Sequence, residues 1–130
     1  MHMWLDCLAF KEKISDIFQK LPSVDEVYLH ELRLHQDGPH LTLRFNLKEY
    51  PEAPPTEWRA KGYNTVQVVV ELWGLHAIEI HGFSTENYVK IRLTPSDGYF
   101  DFSVTGGTNI SGSATNGFIQ KVSAYRKESQ

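Results

Sequence analysis

A single cysteine, Cys7, stands in a chain of 130 residues. One thiol excludes a disulfide framework and a cysteine zinc site. No apolar run approaches the roughly 20 residues that a spanning helix needs. Residues 1–10 lack a basic stretch and are interrupted by Asp6, so they do not read as a signal peptide. A basic excess is missing too: 13 lysines and arginines face 16 aspartates and glutamates, for a net charge of −3. That balance speaks against a nucleic-acid partner, because counterion release needs a cationic face. With 41% hydrophobic and 22% charged residues, disorder and coiled coil are disfavoured as well. These absences leave a soluble, cytoplasmic domain over residues 1–130. It is large enough to bury a core without a metal and has no membrane segment.

What the chain does have is periodic apolar order. Over residues 9–21, Phe10, Ile14, Ile17, Phe18 and Leu21 recur at spacings of three and four, with Lys11, Glu12, Lys13, Asp16 and Lys20 between them. The spacing predicts one amphipathic helix, ended by Pro22. From residue 26 to 126 the period is two. Leu41, Leu43, Phe45 and Leu47 alternate with Thr42, Arg44, Asn46 and Lys48, and Val66, Val68, Val70 and Leu72 repeat the pattern. Val89, Ile91 and Leu93 do the same, as do Phe100, Phe102 and Val104. Such alternation marks strands with one buried and one wetter face. In the first strand Val27 and Leu29 are on one parity and Leu32 and Leu34 on the other, so a bulge near His30-Glu31 keeps both pairs inward.

Asp37-Gly38, Asp97-Gly98, Gly106-Gly107 and Asn116-Gly117 read as hairpin turns, and Trp73-Gly74 as a turn between the third and fourth strands. The expected fold is α+β, mainly β. It has an N-terminal helix and about eight antiparallel strands, as a meander, a sandwich or a strongly curled sheet. The connection over residues 49–64 is long and holds Pro51, Pro54, Pro55 and Trp58. Stiff loops of that length are either functional or lids, and here Trp58 is the plug of a lid or a binding anchor.

Catalytic and metal chemistry find no footing. The six histidines show no zinc-helix spacing, no serine elbow is present, and Thr105-Gly106-Gly107-Thr108 lacks the lysine of a phosphate loop. Lys90 and Arg92 alternate with Tyr88, but nearby Glu79 and Glu86 argue against a nucleic-acid platform. No catalytic, metal or cofactor residue is assigned.

Residues 30–83 carry a resemblance. Leu29-His30-Glu31, the Asp37-Gly38-Pro39 turn, the Leu43-Arg44-Phe45-Asn46-Leu47 strand, Tyr50-Pro51, Pro54-Pro55, Trp58, Gly62-Tyr63-Asn64-Thr65-Val66-Gln67 and Gly82-Phe83 together resemble the immunity protein 50 family of bacterial polymorphic toxin systems. The resemblance implies a small cytoplasmic protein that binds a cognate toxin and neutralises it without catalysis or cofactor. It carries over no contact residue. On physical grounds the loop is the first place to look, with Tyr50 and Trp58 supplying ring surface and Glu52 and Glu57 negative charge that steers a basic toxin. A β-rich module enclosing a small ligand, or a small hydrolase or isomerase, is the alternative. Exposed sheet edges leave a dimer open.

Overall fold

A computed structural model describes residues 4–82 and 84–128. Phe83, part of the resemblance above, lies outside them. Six strands, β1 (Val27–His35), β2 (His40–Asn46), β3 (Thr65–His81), β4 (Tyr88–Pro95), β5 (Phe100–Gly106) and β6 (Asn109–Tyr125), form one antiparallel sheet. The sheet closes into a barrel in the order β1-β2-β3-β6-β5-β4. Two strands fewer are present than expected, and the order is a Greek-key return rather than a meander. The alternation does the work foreseen for it. Leu41, Leu43 and Phe45 on β2 and Val66, Val68, Val70 and Leu72 on β3 all point inward and are nearly inaccessible to solvent. Each contributes about 1.5–3 kcal/mol by leaving water.

The strand count falls because two glycine pairs that look like turns sit inside continuous strands. They lie opposite one another: Trp73 pairs with Asn116 and Leu72 with Gly117. Gly74 adopts φ +68°, and a Cβ there would lie 3.0 Å from the Thr115 side chain. A Cβ at Gly117 would meet Leu8 Cδ2 at 2.7 Å. These glycines bend two long strands together and admit a packed leucine; they do not reverse the chain. The bulge read from the first strand is present: Leu29 pairs with Phe45 and Glu31 with Arg44, leaving His30 as the extra residue. Of the four residues expected inward, however, only Val27 and Leu29 are buried; Leu32 is half-buried and Leu34 is 52% exposed.

The expected helix over residues 9–21 shrinks to one α-turn, α1 (Glu12–Ser15), after a 3-10 turn at Trp4–Cys7. The reason is competition from the sheet. β5 stops pairing with β6 at Ala114, so the β6 edge beyond it is open. Ala9 takes that edge: its N–H donates to Gly117 O at 2.8 Å, and the Ile119 N–H donates to Ala9 O at 3.0 Å. Phe10 then turns the chain with φ +61°, a costly conformation for a bulky residue, and is left 53% exposed beside Phe118. The helical spacing still does its job further on, since Ile14 and Phe18 are buried.

This N-terminal segment plugs one end of the barrel. Ile14 is fully buried, Trp4 lies edge-on to Phe45 at 6.4 Å, and the Trp4 indole N–H donates to Pro22 O. The barrel seam is short, Val27 with Val89 and Tyr28 with Tyr88. It is lengthened by Leu29 N–H to Asn87 O and Ile91 N–H to Val24 O, both 2.9 Å. Cys7 sits half-buried in the plug, and burial, helped by Asp6, pushes its thiol pKa up.

Candidate partner-binding face

In a closed barrel packed with side chains, function has to lie on the outside. The outward residues of β1, β2, β3 and the second half of β6 form a single face, and their register sets three aromatic or imidazole rings in a row. His35 pairs with His40 and His40 with Trp73. The two imidazoles stack at 4.1 Å and 12°, and His40 stacks on Trp73 at 3.9 Å and 6°. His40 Nδ1 lies 2.6 Å from Asp37 O. A carbonyl only accepts, so Nδ1 carries the proton and Nε2 turns toward Glu71, 3.9 Å away.

Glu71 is the centre of this end of the face. Although it points outward it is only 8% exposed, because its neighbours cover it. Trp73 Nε1–H donates to Oε1 at 2.8 Å and Gln120 Nε2–H donates to Oε2 at 2.7 Å. Gln120 reaches it through a bulge: Val69 pairs with Lys121 and Val70 with Ile119, which leaves Gln120 as an extra outward residue. Next along the face, Arg44 Nε donates to Glu31 Oε1 at 3.2 Å, and Arg33 Nε lies 3.9 Å from Glu31 Oε2. Further down, Asn46 donates to the Tyr125 hydroxyl at 2.6 Å and accepts from Gln67 at 3.1 Å.

At the barrel seam a surface pocket of about 410 Å³ is lined by Tyr28, His30, Glu86, Tyr88 and Lys127. Tyr28 meets His30 at 4.8 Å and Tyr88 at 5.0 Å, and Lys127 Nζ lies 5.9 Å from the Tyr28 ring centre. Burial lowers the His30 pKa, and the positive charges of Arg44 and Lys127 lower it further. The face is therefore rigid, ring-rich and locally cationic. Few rotamers remain to be frozen when a partner arrives, which is the condition for tight protein recognition.

The loop residues singled out from sequence divide. Residues 56–61 form a short helix, α2 (Thr56–Lys61), closed by Gly62 at φ +69°. Tyr50 and Trp58 come together at 6.3 Å and pack partly buried against the core. The Tyr50 hydroxyl is buried without a protein partner, and burial raises its pKa. Glu52 is exposed, and Glu57 is exposed and 3.5 Å from Lys61. The loop thus holds its rings in and its carboxylates out. Sequence reading missed His35, His40, Glu71, Trp73 and Gln120. Their one linear signal, outward parity next to buried neighbours, is shared by every solvated residue on a strand.

Among the described residues no group of three or more His, Cys, Asp or Glu side chains is placed to hold a metal ion. No helix there is long and apolar enough to cross a membrane. The remaining pockets are surface grooves. One of about 440 Å³ lies between the β1–β2 turn and the bend of β3, lined by Leu34, Pro39, Leu75 and Ile78 with His35 and His76.

Barrel and face together define a small β-barrel protein whose outer face is tied by hydrogen bonds. The chain belongs to the immunity protein 50 family, whose model matches residues 11–125. The resemblance read from residues 30–83 thus extends back to Lys11, ahead of α1, and forward through β6. The fold is similar to that in the crystal structure of an uncharacterized protein from Neisseria gonorrhoeae. That chain is 15% identical, with a TM-score of 0.52 over 75% of this chain and 92% of the other. The likeness is one of fold alone. No curated protein matches the chain.

Proposed function

We propose that this protein binds a cognate bacterial toxin in the cytoplasm of the producing cell and neutralises it by stoichiometric occlusion, without catalysis and without a cofactor. Membership of the immunity protein 50 family over residues 11–125 carries this reading. The hydrogen-bonded outer face supports it, since a surface already held in shape loses little freedom on binding. On the loop, Tyr50 and Trp58 set the loop's shape, and Glu52 and Glu57 lie outside the contact as exposed, solvated carboxylates.

The test uses tagged protein as bait in the native host with mass spectrometry as readout. One stoichiometric partner is expected, whose expression alone arrests growth and whose co-expression with this protein restores it. A clean bait at adequate expression of neighbouring genes, or a partner whose toxicity is unrelieved, overturns the reading. Size-exclusion chromatography of the recovered complex gives its stoichiometry, including any dimer.

A further inference from the structure

The protein carries net charge −3, but its charges are unevenly spread. Arg33, Arg44, Lys121 and Lys127 belong to the face built on β1, β2, β3 and β6. Of the carboxylates on those strands, Glu31 is engaged by Arg44 and Arg33 and Glu71 by Trp73 and Gln120, while Glu79 stands exposed on the far part of β3, beyond the residues that pair with β2. Lys121 and Lys127 make no ion pair among the described residues. Acids gather elsewhere, as with Asp25, Glu26 and Glu49 near the plugged end.

The seam pocket concentrates this bias. Its rings, Tyr28 and Tyr88, sit beside His30 and Lys127, with Arg44 close enough to be felt at His30. Glu86 is the one carboxylate lining it. A cation flanked by tyrosine rings and an imidazole suits an incoming carboxylate, which gains charge-assisted contacts while its methylenes cover ring surface.

Resting on the immunity reading, we propose that the toxin docks on the β1–β2–β3–β6 face through an acidic patch, one Asp or Glu of which enters the pocket between His30 and Lys127. The contact is thus opposite in sign to one centred on the loop carboxylates Glu52 and Glu57. Steering by opposite charge raises the association rate and makes binding sensitive to salt.

The probe is the toxin domain recovered by the pull-down above. A charge-reversed face, Arg33→Glu with Lys127→Glu, is compared with a charge-reversed loop, Glu52→Lys with Glu57→Lys. All four side chains are exposed, and unchanged melting temperatures establish that both variants fold. The face variant is expected to lose affinity on the order of 10- to 100-fold, and the loop variant less than about threefold. In the wild-type complex the His30 pKa is expected to rise above its value in the free protein, because a carboxylate has joined its surroundings. Wild-type affinity in the face variant, a larger loss in the loop variant, or a His30 pKa that stays put or falls overturns the docking face and leaves the immunity reading standing. Failure of the wild-type protein to bind any toxin overturns both.

Discussion

The barrel wall has two outer halves built by the same alternation, and they treat their polar residues differently. On the half formed by β1, β2 and β3, outward polar side chains bond to one another and become buried, as Asn46 and Glu71 do, each under a tenth exposed. On the half formed by β4, β5 and the start of β6, the outward residues Arg92, Thr94, Asp101, Ser103, Thr105, Ser111 and Ser113 form no side-chain hydrogen bond or ion pair among the described residues. Their register rows, such as Arg92–Ser103–Ser111, are short or solvated side chains. Length explains the contrast. Glu, Gln, Arg, His and Trp reach across the roughly 4.5–5.5 Å between strand neighbours, whereas the short Ser and Thr side chains that face one another on the other half do not bridge that gap. One half is a fixed template and the other a wetted wall.

The comparison can be broken from below. Ile14→Ala empties the plug that both halves rest on and is expected to cost about 3 kcal/mol, read by denaturant unfolding, with the two faces lost together. Survival of native-like stability would show that the plug is dispensable. A sharper contrast comes from Glu71→Ala, which strands the Trp73 and Gln120 donors and is expected to cost about 2 kcal/mol. Ser111→Ala on the opposite half should stay within about 0.5 kcal/mol. Equal costs would erase the distinction between template and wall.

A smaller effect follows from His30. Its folded pKa lies below the unfolded value of about 6.5 through burial and the nearby cations Arg44 and Lys127, so the unfolded chain takes up a proton first. Its contribution is intact above that unfolded value and is lost as pH falls from there toward the folded pKa. His30→Gln is expected to flatten stability over that window, and Arg44→Gln to raise the His30 pKa in an NMR titration. The smallest effect lies outside both faces. Half-buried Cys7, its pKa raised by burial and Asp6, should react with a thiol reagent slowly in the native protein and fast after unfolding.

Residues whose role depends on near neighbours were legible. The bulge at His30 followed from a parity change between Leu29 and Leu32, and the inward sets of β2, β3, β4 and β5 followed from period two. Asp37-Gly38 turns the chain as read, with Gly38 at φ +111°. Reading failed where a local signal has two physical causes. Asn116-Gly117 signals a hairpin, but here Gly117 is small because Leu8, more than a hundred residues earlier, packs on it. Likewise, the amphipathic spacing of residues 9–21 is real, yet Ala9 gives up helix hydrogen bonds for the open edge of β6. The loop was half legible: its prolines and Trp58 marked a stiff segment, but not that Trp58 would fold onto Tyr50.

The sequence alone thus determined a mainly β chain, the inward sets of β2 to β5, the first bulge and the family, because each depends on spacing or on motifs within a few residues. Tertiary structure decided that the sheet closes, that two glycine pairs bend strands instead of ending them, and that His35, His40, Trp73, Glu71 and Gln120 meet on one face. Those residues lie up to 85 positions apart, from His35 to Gln120, and only cross-strand register brings their side chains within bonding distance.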